Sequence, residues 1–178
     1  MLSFNRKVRA GFVSLVACLG VGLALSACQV RPLYSTTSTS GQALSTELAS
    51  VQIESAKNRV EQEIRNQLIF AFTGGGEPAS PLYRLEMFVT NANSSFDIES
   101  GTGLAKTTRV SLTVTYKLIQ LSDNTIATTG SSFFTASFAR STQRFANDRA
   151  LQDAENRAAQ QIANDIQLRL STFFASGN

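Results

Sequence analysis

The side chains best suited to chemistry in this 178-residue sequence are one cysteine and two small groups of carboxylates. Cys28 closes the run Leu25-Ser26-Ala27-Cys28, which resembles a lipobox, the site where signal peptidase II cuts ahead of a cysteine. Small residues at 26 and 27 let a protease close on the backbone, and the cysteine thiolate is the nucleophile that takes the lipid. The carboxylates are Asp97 with Glu99, and Asp148 with Asp153 and Glu155. Either group could in principle hold a metal through oxygen alone or form the acid pair of a glycosidase. Nothing around these acids is apolar enough to raise a carboxyl pKa, so both read as solvated faces. Histidine is absent, which removes the commonest general base and metal ligand. Cys18 falls in the segment expected to be cut away, and acylation of Cys28 would leave no thiol for a disulfide or for catalysis. A Ser-His-Asp triad cannot be assembled. The expectation is no enzyme, no catalytic residue, no metal and no cofactor.

The elements that position these residues start with the leader. Arg6, Lys7 and Arg9 precede an apolar run from Gly11 to Leu25. That run is about 15 residues, short of the ~20 that a bilayer-spanning helix needs. A basic start, a short apolar stretch and small residues form a secretory signal peptide, assigned here to residues 1–27. Several acyl chains on Cys28 would anchor the remainder to a membrane durably, where one chain binds only marginally. Gln29, in place of an Asp, mildly favours the outer membrane. Three of the 16 basic residues belong to the leader and all 13 acids lie beyond it. The formal +3 is therefore the leader's, residues 28–178 sum to zero, and no nucleic-acid partner is implied.

Residues 35–46, STTSTSGQALST, are small and polar and read as part of a flexible tether over 28–48. The domain follows at 49–178. Ala49 to Ile53 is a short first strand. Val60, Ile64, Leu68 and Ala71 recur at helical spacing, so Asn58–Phe72 is a helix, with Asn58 as N-cap and Glu61 completing a capping box. Gly74-Gly75-Gly76 stops it. Those glycines follow a helix rather than precede one, so they do not form a phosphate cradle. Tyr83, Leu85, Met87 and Val89 alternate along a strand from Leu82 to Thr90 that Ser94–Glu99 extends. Val110, Leu112, Val114, Tyr116 and Leu118 alternate with Arg109, Ser111, Thr113, Thr115 and Lys117, a strand with one buried and one wet face. Ser122–Thr125 is a tight turn, and Ile126–Phe138 returns as a hairpin partner. Asn147 to Phe174 carries Leu151, Ala154, Ala158, Ile162, Ile166, Leu170 and Phe173 at spacings of three and four. It reads as a surface helix about 40 Å long, capped by Asn147 and with Asp148 at the positive end of its dipole. The order β-α-β-β-β-α predicts an α+β two-layer sandwich: two helices on one face of a roughly four-stranded, mostly antiparallel, mixed sheet.

The segment Cys28-Gln29-Val30-Arg31-Pro32-Leu33-Tyr34 resembles the mature start of the LPS-assembly lipoprotein family LptE. Gln29 and Val30 stand where that family often has Gly and an aromatic residue. VEQEIRNQL is similar to its first helix, TRVSLTVTYKLI to its third strand and AENRAAQQIANDIQLRLSTFF to its closing amphipathic helix. The likeness covers nearly all of the chain after Cys28. It implies an outer-membrane lipoprotein on the periplasmic side, plugging the lumen of the β-barrel LptD one to one. The family helps that barrel fold and helps insert lipopolysaccharide into the outer leaflet. Lipopolysaccharide phosphates call for cations. In the two regions that the family links to lipid binding, the nearest are Lys106 and Arg109 before the third strand, and Arg140 and Arg144 before the last helix. A different class of partner is also compatible: an auxiliary periplasmic lipoprotein of an ABC-type lipid transport system, which would show an exposed apolar ligand groove.

Overall fold

The computed structural model describes residues 39–98 and 105–176. The segment read as a leader, Cys28, the Arg31–Tyr34 run and Glu99 lie outside them. In chain order the elements are α1 (Thr39–Ala49), β1 (Val51–Ile53), α2 (Arg59–Thr73), β2 (Tyr83–Ile98), β3 (Ala105–Gln120), β4 (Ile126–Ala139) and α3 (Arg144–Ser176).

The strands form one sheet in the order β1-β2-β3-β4. β1 pairs parallel with β2, Val51 opposite Tyr83, across the α2 connection. β2, β3 and β4 are an antiparallel meander. The sheet is therefore mixed, and the two-layer α+β architecture holds, with one helix more than the sequence suggests.

The extra helix is α1. Most of the tract read as tether is helical from Thr39, with Leu44 and Leu48 buried at 5% and 4% exposure. Its small polar residues have weak helix preference. The gain comes from seating two leucines one turn apart against α2 and α3, at about 1.5–3 kcal/mol for each buried side chain. Ala49 ends α1, so the first strand starts at Val51.

α2 follows its sequence signals closely. The Asn58 side chain accepts from the Glu61 N–H at 2.9 Å, and the Glu61 carboxylate accepts from the Lys57 N–H at 3.0 Å. Gly74 takes φ +73° and donates its N–H to the Phe70 carbonyl at 2.9 Å, a left-handed C-terminal cap that favours glycine. The buried stripe is Val60, Ile64, Leu68 and Phe72. Ala71 is exposed; the larger side chain one position on takes the last core place.

α3 differs at its start. It opens at Arg144 and runs 33 residues, about 50 Å. Asn147 lies inside the helix rather than capping it. Its side chain clamps the preceding loop, accepting from the Ser141 N–H at 2.7 Å and donating to the Ser141 carbonyl at 2.8 Å. Asp148 is consequently past the first turn, which has no acid. The buried face is Ala154, Ala158, Ala159, Ile162, Ala163, Ile166, Leu170 and Ser171. Leu151 is only half-buried, and the small alanines let α3 approach α2 and the sheet closely. No helix among the described residues is long and apolar enough to cross a membrane.

Candidate functional site

β3 divides the sheet into two surfaces. Val110, Leu112, Val114, Tyr116 and Leu118 lie under the helices, none more than 3% exposed. Arg109, Thr115 and Lys117 on the other side are exposed. The register continues that second surface across the meander: Thr90, Thr113 and Phe133 form one row, and Phe88, Thr115 and Ser131 the next. No described helix covers this face. It is mostly hydroxyls, with an Arg84–Glu86 pair at 3.1 Å toward one end. Phenylalanines interrupt it, among them Phe88 at 69% and Phe133 at 65% exposure, which the alternation of a wet face does not by itself suggest. Sequence alternation does place Phe133 opposite Thr113 once the hairpin register is known.

The backbone positions of the four candidate cations lie toward one end of the β3–β4 pair, with Arg109 on the bare face. Thr107 pairs with Ala139, which sets Lys106 on β3 beside the position of Arg140 just after β4. Arg109 pairs with Ser94 on one side and Ser137 on the other. Arg144 begins α3 four residues past Arg140. Arg140 and Arg144 are exposed, and no carboxylate of the described residues lies within ion-pair distance of either. Phe145, next to Arg144, is 85% exposed.

Among the candidate carboxylates, Glu155 serves the framework. Glu155 accepts from Arg59 on α2 and from the Asn91 side chain on β2 at 2.8 Å, while Arg59 also donates to Asn156 at 2.7 Å. This network joins α2, α3 and β2, and Asn58, Val60 and Val89 line a shallow hollow of about 290 Å³ beside it. Asp153 pairs with Arg157 at 2.8 Å, and Asp148 is exposed. Asp97 lies at the end of β2, on a different element from the α3 acids. Among the described residues no group of three or more His, Cys, Asp or Glu side chains is placed to hold a metal.

One further arrangement was not legible beforehand. The Tyr116 ring crosses β4 at Gly130, where a Cβ would stand 2.3 Å from the phenolic oxygen. Only glycine permits that approach. Burial pushes the phenol pKa up; Arg169 on α3 pulls it down and Asp165 pushes it up.

Fold and surface together define a two-layer α+β domain that presents one uncovered, hydroxyl-rich sheet face. The model of the LptE family, described as lipopolysaccharide-assembly, matches residues 48–170. The chain belongs to the LptE family, a family of lipoproteins without enzymatic activity. Solved structures share the fold at low identity. A protein from Caulobacter crescentus CB15 described as a lipoprotein aligns with TM-score 0.64 and 20% identity, over 77% of this chain and 98% of that one. Rare lipoprotein B from Shewanella oneidensis aligns with TM-score 0.54 and 9% identity, over 71% and 95%. A minor lipoprotein from Acinetobacter baumannii gives 0.50 and 14%, over 68% and 88%. No curated protein matches the sequence.

Proposed function

We propose that this chain is anchored through lipid on Cys28 at the periplasmic side of the outer membrane. There it fills the lumen of the β-barrel LptD one to one, helps that barrel assemble and assists lipopolysaccharide insertion into the outer leaflet. The observation that carries the reading is the bare face of the sheet. A long antiparallel surface of Ser and Thr hydroxyls, uncovered by any described helix, is stable in water yet matches the polar inner wall of a barrel. Phe88 and Phe133 supply fixed apolar points on that face, and aromatic side chains are favoured anchors in interfaces. Lys106, Arg109, Arg140 and Arg144, brought to one end of the sheet, would meet lipopolysaccharide phosphates.

Purification of the tagged chain from native outer membrane in mild detergent tests this. Recovery with a stoichiometric barrel is expected, and recovery without one counts against the plug. Charge reversal of Arg140 and Arg144 should weaken lipopolysaccharide binding while leaving barrel recovery intact.

A further inference from the structure

The two edges of the sheet are treated very differently. β1 is three residues long. Arg65 on α2 donates to the Glu54 carbonyl just beyond it at 3.2 Å, so little backbone is left bare. β4 runs 14 residues, Ile126 to Ala139, with no charged residue and no proline. Long edges are normally guarded by charge, proline, bulges or cover, because their unpaired N–H and C=O groups template further pairing. Among the described residues β4 pairs only with β3. Arg157 donates to the Ser137 carbonyl at 3.3 Å, which fixes the direction of that carbonyl as the open edge. Alternation then turns the backbone groups of Ser131, Phe133 and Thr135 the same way. Among the described residues no hydrogen bond reaches them.

We propose that β4 pairs antiparallel with β4 of a second copy about a two-fold axis through Phe133, joining two sheets into one. Three observations support this occupant. First, the strand is self-complementary about that residue. Phe133 would face the partner's Phe133, and Ser131 the partner's Thr135. On the helix side Ser132 would face the partner's Phe134, and Gly130 the partner's Ala136. Hydroxyl meets hydroxyl and small meets small, and aromatic and hydroxyl cross-strand pairs are favourable. Second, Ser131, Ser132, Phe133 and Phe134 border a groove of about 480 Å³ whose other wall is Gln161, Asp165 and Arg169 of α3. Third, that wall is charge-balanced: Asp165 and Arg169 pair within one helix at 2.8 Å, so a second copy meets no net charge of its own sign across the axis. The pairing would also cover Phe133, which is 65% exposed.

The inference concerns the chain apart from its barrel, and its failure leaves the barrel reading untouched. The test uses the whole chain in detergent. Facing residues in a hydrogen-bonded antiparallel pair have Cα atoms about 5.5 Å apart, a separation a disulfide can span. Phe133→Cys should therefore form a disulfide-linked dimer under mild oxidation, about tenfold more readily than Thr90→Cys, which shares the same sheet row and the same Cys28. Light scattering on the wild type should give a dimer that dissociates on dilution. Phe133→Lys, which sets two like charges opposite each other, should weaken it by about tenfold or more with an unchanged circular dichroism spectrum. A wild type that stays monomeric across the dilution series, or a Phe133→Cys variant that links no better than Thr90→Cys, overturns the proposal.

Discussion

The helix-covered face of the sheet and its bare face are built from alternating residues of the same strands, and they obey different rules. Leu112 is fully buried and Thr113, its neighbour in the chain, points to the uncovered side. Under the helices, shape is fixed by volume: Tyr116 crosses Gly130, and α3 presents alanines so that it can come close. On the other face no described helix presses on the side chains, so hydroxyls, Phe88 and Phe133 stand there without constraint from the core. The difference separates residues that make the fold from residues that are free to recognise something else.

Leu112→Ala should break the comparison most sharply, costing about 2–5 kcal/mol as a core truncation that leaves a cavity, measured by chemical denaturation. Gly130→Ala comes next, at about 1–3 kcal/mol, because the new methyl must displace the Tyr116 ring. The double variant with Tyr116→Ala should lose less than the sum of the two single changes. Glu155→Gln weakens the link between α2, α3 and β2 and should cost about 1–2 kcal/mol, the discount reflecting a half-exposed Arg59. Thr113→Val on the bare face should stay within about 0.5 kcal/mol of wild type, yet Thr113→Glu should reduce barrel recovery if that face meets the barrel. A loss of stability at Thr113 as large as that at Leu112 would erase the distinction.

The smallest effect is alkaline. Burial raises the pKa of the Tyr116 phenol. Its contribution to stability is thus complete below the unfolded value of about 10 and is lost as pH rises through the folded value. Ultraviolet titration should show late-ionising phenol, and Tyr116→Phe should remove part of that late fraction. Tyr83 titrates late for the same reason, with Glu47 adding to the effect of burial.

Much of the fold is legible in local pattern. The alternation from Arg109 to Leu118 assigns those ten side chains to their correct faces, because the strand period is two and a register slip would exchange the faces. Asn58, Glu61 and Gly74 bound α2 because caps act over only a few residues. α1 was missed because its evidence is two leucines in a polar tract, and a helix with so little intrinsic support exists only where α2 and α3 receive it. Asn147 was misplaced for a related reason: an asparagine that can cap can equally clamp a loop, and the position of Ser141 decides. The candidate cations were legible as residue types in two regions. The nearness of positions 106 and 140 depends on the β3–β4 register, which pairs Thr107 with Ala139.

By itself the sequence determined what this chain is made to do without: histidine chemistry, and a charge imbalance over residues 28–178. It also determined which side of each long strand would be buried, since both properties belong to residues taken singly or to near neighbours. Tertiary structure alone decided the parallel placement of β1 beside β2, the helix at Thr39–Ala49, the use of Glu155 as a bridge and the bare edge of β4. Each of these joins residues far apart in the chain, and the energy that selects them exists only once distant surfaces exclude water together.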